Sequence, residues 1–351
     1  MAPTMGSANT GSVVLGCTLV DVARVARVGL GTASRALNGS PGVHPATAAR
    51  VRRAAEELGY YPNRQAQNLR SRRSNVVGLV VPSLSNPIYE AYVRGVVREA
   101  ARLGYSTFIC DAEYDGELYQ AHLRRLLEHR VDALVVGEPI VAPDLIAPFK
   151  AAGIPVDPEP ADQRSELGTS VQIEDRRVVG EAYDDLLACG HRHVAFVRLA
   201  RPGAPIERPR SDERVEFLRE KIEARPGGRF EWWEVEGYDA IESFVSHALE
   251  RKPAPTALVV SAPALQGTLI AMQRLSLKIP ADVSLLVVGE TAWARAFDPP
   301  LSTVGSDPYV RGVCGVRRVI GKLRDDEEMI LANPAPTFSY ARRQSIGPAR
   351  T

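Results

Sequence analysis

The chain has 351 residues, of which 45% are hydrophobic and 24% charged, and its formal net charge is +1. This length exceeds that of a typical single domain, so we expect more than one domain and a sizeable buried core. No stretch of about 18 or more uncharged apolar residues occurs, so we expect no membrane-spanning helix. Residues 1–17 have no basic start before an apolar segment, which favours a disordered leader over a secretory signal.

Cysteine usage indicates the compartment. The four cysteines are far apart in the sequence and form no Cys-x-x-Cys pair: Cys17, Cys110, Cys189 and Cys314. We therefore expect free thiols in a reducing environment, and a cytoplasmic location.

Residues 18–38 have the pattern of two short amphipathic helices separated by a tight break. Apolar residues recur there at helical spacing, so each helix has one face for a core and one for solvent or a partner. These residues are Leu19, Val22, Ala23, Ala26, Ala33, Ala36 and Leu37. The layout is typical of a DNA-reading helix-turn-helix, with the second helix as the recognition helix. A third helix is predicted over 45–58, ended by Gly59.

Charge is distributed unevenly along the chain. Ten arginines and three acidic residues give residues 18–75 a formal charge of +7, so residues 76–351 carry −6 within the total of +1. Such a basic segment is attracted to phosphates, and a solvated charged surface is the alternative interpretation. The helix-turn-helix pattern in the same segment favours nucleic acid.

After residue 75 short β-rich runs alternate with helical stretches such as 88–103. The runs are 76–81, 106–110, 133–136, 194–197, 257–260 and 283–288. Strand followed by helix, repeated in this way, predicts an α/β fold with parallel sheets. Because the series is too long for one doubly wound sheet, we expect two lobes around a cleft, with the Pro-rich stretch 153–160 as a crossing point. Ligands of such sheets lie beyond the carboxyl ends of the strands.

The segment that begins TLVDVARVARVGLGTASRALN and continues to SNPIY resembles the head of the lactose-repressor and galactose-repressor family of transcriptional regulators. The similarity continues into a body like that of periplasmic sugar-binding proteins. After the leader expected over 1–17, it implies a three-helix DNA-binding domain over 18–62, a hinge helix over 63–75, and a two-lobed effector-binding and dimerisation domain over 76–351. The resemblance also implies one lobe of about 76–158 with 306–331, and a second of about 170–303 with 335–348.

The family resemblance further implies a function. We expect a dimeric, sequence-specific regulator, a repressor, that binds a palindromic double-stranded DNA operator and responds to a small-molecule effector in the cleft. The alternative is a small-molecule-binding or partner-protein-responsive protein whose DNA-binding head is weakened. No Ser-His-Asp arrangement or phosphate loop stands out, so we predict neither enzyme activity nor a cofactor.

The resemblance also indicates which residues contact DNA. In the hinge, the family inserts a leucine into the central minor-groove step, and Leu69 matches it, with Ala66 one turn before. Packing of Leu69 against the body is the alternative. The residues expected at DNA are Thr18, Leu30, Gly31, Thr32, Ser34, Arg35, Asn38, Asn63, Ala66 and Leu69.

Several head residues depart from the family pattern. Arg27 occupies a turn position that is usually glycine, so either the turn is rebuilt or a left-handed arginine is tolerated, and we hypothesise a phosphate contact for it. Gly29 replaces the usual serine as N-cap of the recognition helix. Leu30 and Gly31 offer no hydrogen bond to bases, so base reading falls mainly on Arg35. We interpret His44, which replaces a capping serine, as a surface residue with no chemistry.

The effector site is also inferred from the resemblance. Tyr89 in the SNPIY loop is expected to stack on a ligand, with packing as an equal alternative, and Arg214 matches a cleft arginine, with Arg210 as a rival. Ser261-Ala-Pro-Ala replaces a usual Asn-Asp pair, which leaves Glu290 and Trp293 as substitutes. Loss of these polar anchors argues against an ordinary sugar effector.

Other signals have simpler interpretations. We interpret His191 and His193 as surface caps beside a strand, since no acid or cysteine lies at metal-ligand spacing, and we predict no metal site. Trp232 and Trp233 lie beside a predicted strand, where core packing is expected.

Overall fold

The computed structural model describes residues 17–60, 73–137, 143–157, 173–200, 213–237, 239–333 and 337–350. The chain divides into two compact units, one up to Arg72 and one from Arg73 onward, which we call the head and the body. Most of the expected leader and hinge therefore lies outside the described residues. No helix within the described ranges is long and apolar enough to cross a membrane.

The head contains three helices: α1 (Leu19–Val25), α2 (Leu30–Leu37) and α3 (Pro45–Glu57). Their common core is built from small apolar side chains, namely Val22, Ala23, Ala26, Ala33, Ala36, Ala48, Val51, Ala54 and Ala55. Leu19, Val28, Leu37 and Leu58 pack against this cluster from its rim. The faces expected from helical spacing are therefore the buried ones, and the three-helix prediction is confirmed.

Side chains cap two of the helix starts in the head. The amide of Asp21 donates to the Thr18 hydroxyl, and the amide of Thr18 donates to the Asp21 carboxylate, 3.1 Å away. Hydrogen bonding from Thr18 lowers the pKa of Asp21 to about 2. At α3, Nδ1 of His44 accepts from the amide of Ala46 at 3.3 Å. His44 is exposed, as expected, and its imidazole nitrogen replaces the serine oxygen as the capping acceptor.

The body begins with a parallel sheet of four strands in the order β2-β1-β3-β4. Its elements are β1 (Val76–Val81), α4 (Pro87–Arg102), β2 (Ser106–Asp111), α5 (Gly116–Glu128), β3 (Ala133–Val136), α6 (Pro143–Ala151) and β4 (Val156–Asp157). Alternate strand residues face opposite sides: Leu79 packs in a cluster with Tyr92 of α4, whereas Val80 packs in another with Leu123 of α5. Helices thus cover both faces, as parallel sheets require.

A second sheet follows, with the strand order β10-β9-β8-β7-β5-β6. Its elements are α7 (Ile173–Ala188), β5 (His193–Ala200), α8 (Glu213–Glu223), β6 (Arg229–Glu236), α9 (Ala240–Glu250), β7 (Ala257–Ser261), α10 (Leu265–Arg274), β8 (Ser284–Val288), α11 (Ala292–Ala296), β9 (Ser302–Ser306) and β10 (Phe338–Ala341). β10 pairs antiparallel with β9, and the other pairs are parallel. All six strands expected from the sequence are present, and Trp232 and Trp233 lie within β6.

After β9 the chain returns to the first sheet through α12 (Pro308–Arg324), which is followed by α13 (Glu327–Leu331). Helix α12 crosses α4 so closely that a Cβ at Gly312 would lie 2.3 Å from the carbonyl oxygen of Tyr92. The buried carboxylate of Glu99 on α4 accepts from Nε of Arg317 at 2.7 Å. The close packing at Gly312 and the ion pair between Glu99 and Arg317 together hold this helix against the first sheet.

Two histidines that we expected at the surface are buried. His191 is 1% exposed, and its Nδ1 lies 2.9 Å from the Thr256 hydroxyl oxygen. Its Nε2 lies 3.0 Å from the carbonyl oxygen of Gly347, so Nε2 carries the proton, and burial lowers the pKa of the ring. His193 contacts Glu231 at 2.7 Å. The prediction of surface caps was therefore wrong, because partners distant in sequence satisfy both rings in the interior.

Candidate nucleic-acid interface and ligand cleft

The recognition helix α2 separates a buried face from an exposed one. Ala33 and Ala36 are buried in the head core, whereas Leu30 is 50% exposed and Gly31 and Arg35 are also exposed. Thr32 and Ser34 are half-buried at the border between the two faces, and exposed Asn38 is the C-cap residue. The residues expected at DNA on this helix therefore share one accessible face or its edges.

The exposed face of α2 offers one long hydrogen-bonding side chain. Nε of Arg35 donates to the carbonyl oxygen of Gly31, one turn earlier, at 3.3 Å. This bond orients the guanidinium and leaves its two terminal nitrogens as the donors that could reach a guanine. The side-chain amide of Asn38 donates to the Ser34 hydroxyl at 3.5 Å, so both polar side chains lie together near the end of the helix. Leu30 and Gly31 supply no side-chain donor or acceptor.

The turn before α2 contains a left-handed residue that is not glycine. Arg27 has φ 50°, and its amide donates to the carbonyl oxygen of Arg24, while the amide of Val28 donates to that of Ala23. These are the two hydrogen bonds of a Schellman motif. Of the two possibilities that the sequence left open, the structure has the tolerated left-handed arginine. Gly29 is the N-cap of α2 and has no capping side chain.

The remaining residues expected at DNA have other positions. Thr18 is committed to the capping box of α1, where its hydroxyl also donates to the Asp21 carboxylate at 2.7 Å. Asn63, Ala66 and Leu69 lie outside the described residues. The proposed minor-groove wedge is therefore still a prediction.

In the body, the carboxyl ends of the strands carry the residues expected at an effector. Tyr89, in the first turn of α4, donates its hydroxyl to the carbonyl oxygen of Gly137, which follows β3, at 3.1 Å. Its ring lies edge-on to Tyr92, with centroids 6.0 Å apart. Trp293 on α11 is 49% exposed, and α11 contacts α4. Thus Tyr89 is anchored by packing and hydrogen bonding, and Trp293 presents half of its surface to solvent.

Glu290 has an extensive set of partners within the second sheet. Its carboxylate lies 3.1 Å from Nη2 of Arg343 and 3.0 Å from Nε of Arg295, and it accepts from the Thr303 hydroxyl. The Glu290 and Arg343 side chains are both largely buried, at 14% and 17% exposed. Sequence reasoning missed Arg343, which lies 53 residues away in the sequence. Arg214 lies in the first turn of α8, and its side chain and Arg210 are outside the description.

Two contacts join the carboxyl ends of the sheets directly. Gly289, at φ 118°, is so close to the first helix of the other sheet that a Cβ there would lie 3.3 Å from Cδ1 of Ile88 on α4. Tyr114, in the loop after β2, packs its side chain against the apolar cluster of the second sheet. No sequence signal identified Tyr114, since it lies in an irregular loop without periodicity.

The loop that carries Tyr114 is held in an unusual conformation. Glu113 and Tyr114 both have left-handed φ angles, 49° and 59°. The amide of Tyr114 donates to the carbonyl oxygen of Pro82 at 2.7 Å, and the carboxylate of Asp111 accepts from the amides of Glu113 and Leu84. Consecutive left-handed residues of this type are uncommon, and these bonds compensate for their strain.

Comparison with known proteins gives matches along almost the whole chain. Residues 18–63 match the family model of bacterial regulatory proteins of the lacI family. Residues 74–205 match the model of periplasmic binding proteins and the sugar binding domain of the LacI family, and residues 183–346 match a periplasmic binding protein-like domain. The matched segments agree with the head and the body of the structure.

Individual relatives give the same result. Catabolite control protein A of Priestia megaterium is 27% identical over 305 residues, covering 86% of this chain and 90% of that protein. The ribose operon repressor of Escherichia coli K12 is also 27% identical, over 82% and 87% of the two chains. The fold resembles that of the lac repressor dimer bound to operator and an anti-inducer, with a TM-score of 0.72 and 24% identity over 95% and 99%. The chain therefore belongs to the lacI family of bacterial regulatory proteins, which are DNA-binding transcriptional regulators with a helix-turn-helix head and a periplasmic-binding-protein-like body.

Proposed function

We propose that this regulator binds an inverted-repeat operator as a homodimer, represses transcription there, and changes its operator affinity when a small molecule occupies the cleft of the body. The exposed face of α2 is the single observation that carries the proposal. The buried side chains of this helix are the small ones of Ala33 and Ala36, and Arg35 is exposed beside Gly31. The helix can therefore enter a major groove without a change in the head.

The base-reading capacity of this face is narrow. Arg35 can contact the two acceptors of a guanine, and Leu30 can contact a thymine methyl group. Gly31 can do neither, and Thr32 and Ser34 are suited to phosphates. We therefore expect each half-site to have few specified base pairs. A helix with a base-reading side chain at every exposed position would specify more.

Exposed apolar side chains support the homodimer. Phe108 and Ile109 are each 43% exposed on β2, which is an edge strand of the first sheet. Phe244 on α9 and Ile270 on α10 are exposed on the second sheet's helices. Apolar side chains on an edge strand are a liability unless another chain covers them, and a second copy would also bring two heads to one operator.

The chemistry of the cleft argues against a polar sugar as the effector. The Glu290 carboxylate, which could have bound sugar hydroxyls, is neutralised by Arg343 and Arg295. Trp293 instead offers an exposed aromatic surface, and Leu84 is also exposed after β1. An effector with apolar or aromatic surface fits these residues better than a polyhydroxylated one.

A second candidate function is a ligand-responsive or partner-responsive protein whose head no longer selects a sequence. Leu30 and Gly31 favour it, because neither has a side chain that can hydrogen-bond to a base edge. The two candidates differ in one measurable property, the ratio of specific to non-specific DNA affinity.

In vitro selection from a randomised duplex pool, with the full-length protein at physiological salt and no added ligand, tests the proposal. We expect enrichment of an inverted repeat with a guanine in each half-site and a flexible central step. Arg35→Ala should lose the preference for that guanine, whereas Arg53→Ala on the exposed side of α3 should retain it. Failure of the wild-type protein to enrich any sequence would contradict the operator proposal and favour the second candidate.

A further inference from the structure

The turn between α1 and α2 decides where the recognition helix begins. Ala26 is the C-cap of α1, and only Arg27 and Val28 separate it from Gly29, the N-cap of α2. With arginine at the left-handed position, this turn lacks the glycine that would relax it. A contact that fixes the backbone at Ala26 therefore also fixes the start of α2.

Such a contact comes from the third helix. Nε of Arg50, on α3, donates to the carbonyl oxygen of Ala26 at 2.9 Å, in a partly buried hydrogen bond that joins residues 24 apart in sequence. The last carbonyl groups of a helix have no partner within the helix. The two Schellman bonds use the carbonyl groups of Arg24 and Ala23. Arg50 thus supplies the donor for the carbonyl group that directly precedes the left-handed residue.

The arginines of α3 differ in the hydrogen bonds they make. Arg50, Arg52 and Arg53 are all exposed on this helix, and Arg52 and Arg53 are suited to neutralising phosphates. Arg50 would count as one more charge of the basic head if sequence alone were considered. Its Nε, however, points to a backbone acceptor inside the head.

We propose that Arg50 is a positioning residue: it holds the end of α1 and so sets the position from which α2 reads DNA, and it does not act as a phosphate contact. The inference rests on the operator binding proposed above. It predicts that operator selectivity depends on the Nε donor of Arg50 and not on the charge.

Two substitutions separate donor from charge. Arg50→Gln places an amide N–H at the same bond distance from Cα as Nε and removes the charge, whereas Arg50→Lys keeps the charge and places a methylene group there. The matched control pair is Arg53→Gln and Arg53→Lys, which changes charge on the exposed side of the same helix.

The full-length variants are titrated against two duplexes, one selected by the wild-type protein and one of mixed sequence, over a series of salt concentrations. We expect Arg50→Gln to keep the wild-type ratio of specific to non-specific affinity and the wild-type salt slope. Arg50→Lys should lower the ratio on the order of tenfold, as expected for one lost charge-assisted hydrogen bond, with an unchanged slope. Arg53→Gln should reduce the slope by about one if Arg53 contacts a phosphate.

Hydrogen exchange without DNA provides a second readout. The Val28 amide, which is hydrogen-bonded to Ala23, should exchange faster in Arg50→Lys than in the wild type and at the wild-type rate in Arg50→Gln. If the wild-type protein selects no operator, the proposed function fails. The exchange rates still test whether Arg50 holds the end of α1. The inference is overturned if Arg50→Lys behaves as wild type, or if Arg50→Gln loses affinity with a slope reduced by about one and unchanged exchange.

Discussion

Arg27→Gly tests how this protein uses a turn that is usually relaxed by glycine. A left-handed conformation costs an L-residue about 1–2 kcal/mol, and Arg27 has φ 50°. Glycine removes that strain, but it also increases the conformational entropy of the unfolded chain, which lowers the stability by about 0.4–1 kcal/mol. The free energy of unfolding of the head should therefore rise by about 1 kcal/mol or slightly less, because the two Schellman hydrogen bonds do not require the side chain.

The gain is measured by amide hydrogen exchange in the full-length protein, since the head and the body do not have to unfold together. A stabilisation of 1 kcal/mol corresponds to roughly fivefold slower exchange of amides in α1 and α2. The same variant should reduce the salt slope of DNA binding by about one if the guanidinium of Arg27 contacts a phosphate.

Two control variants isolate the causes. Ser276→Gly relieves an equivalent left-handed residue, with φ 54°, in an exposed turn of the body, so it should leave both head exchange and DNA binding unchanged. Arg27→Ala removes the charge and keeps the strain, so it should change only the salt slope. If Arg27→Gly alters neither head exchange nor the salt slope, both the strain argument and the phosphate contact are refuted.

Three further predictions concern the body. Gly312→Ala should destabilise it by about 1–3 kcal/mol in urea unfolding followed by circular dichroism, because the new Cβ overlaps the Tyr92 carbonyl; Gly116→Ala, with no atom within 4 Å, should be close to neutral. Burial lowers the pKa of His191, so its folded form stays neutral while the unfolded ring gains a proton below about 6.5. Stability should therefore be retained above that pH and fall as the pH drops below it, and His191→Gln should weaken this dependence in unfolding curves measured between pH 5 and 8. Tyr114→Ala should increase the radius of gyration of the ligand-free protein, measured by X-ray solution scattering. Tyr114→Phe keeps the packed ring and should not increase it.

Local sequence patterns were sufficient where burial depends on near neighbours. The apolar spacing of α1, α2 and α3 predicted their buried faces because helical geometry alone places those residues together. Short β-rich runs identified β1 and β8 for a similar reason, since strands covered on both faces have no polar alternation. These patterns, with the family resemblance, were enough to predict the fold class and the exposed reading face of α2.

Polar segments were harder to predict. β9 has the sequence STVGS and does not look like a core strand, yet all of it is buried. Its burial is possible because Oγ of Ser345 accepts from the amide of Ser302 at 2.7 Å, across 43 residues of sequence. His191 was misjudged for the same reason, since its partners include Gly347, 156 residues away.

The sequence by itself determined the helix-turn-helix, the alternation of strands and helices, and the exposed face of α2. Only the tertiary structure decided that Glu290 is neutralised by Arg343, that Arg50 holds the end of α1, and that Tyr114 packs on the second sheet. Apolar burial follows a periodicity that can be read locally. Whether a polar or charged group is buried depends on partners that folding brings from distant segments, because burial without such a partner costs about 1–3 kcal/mol.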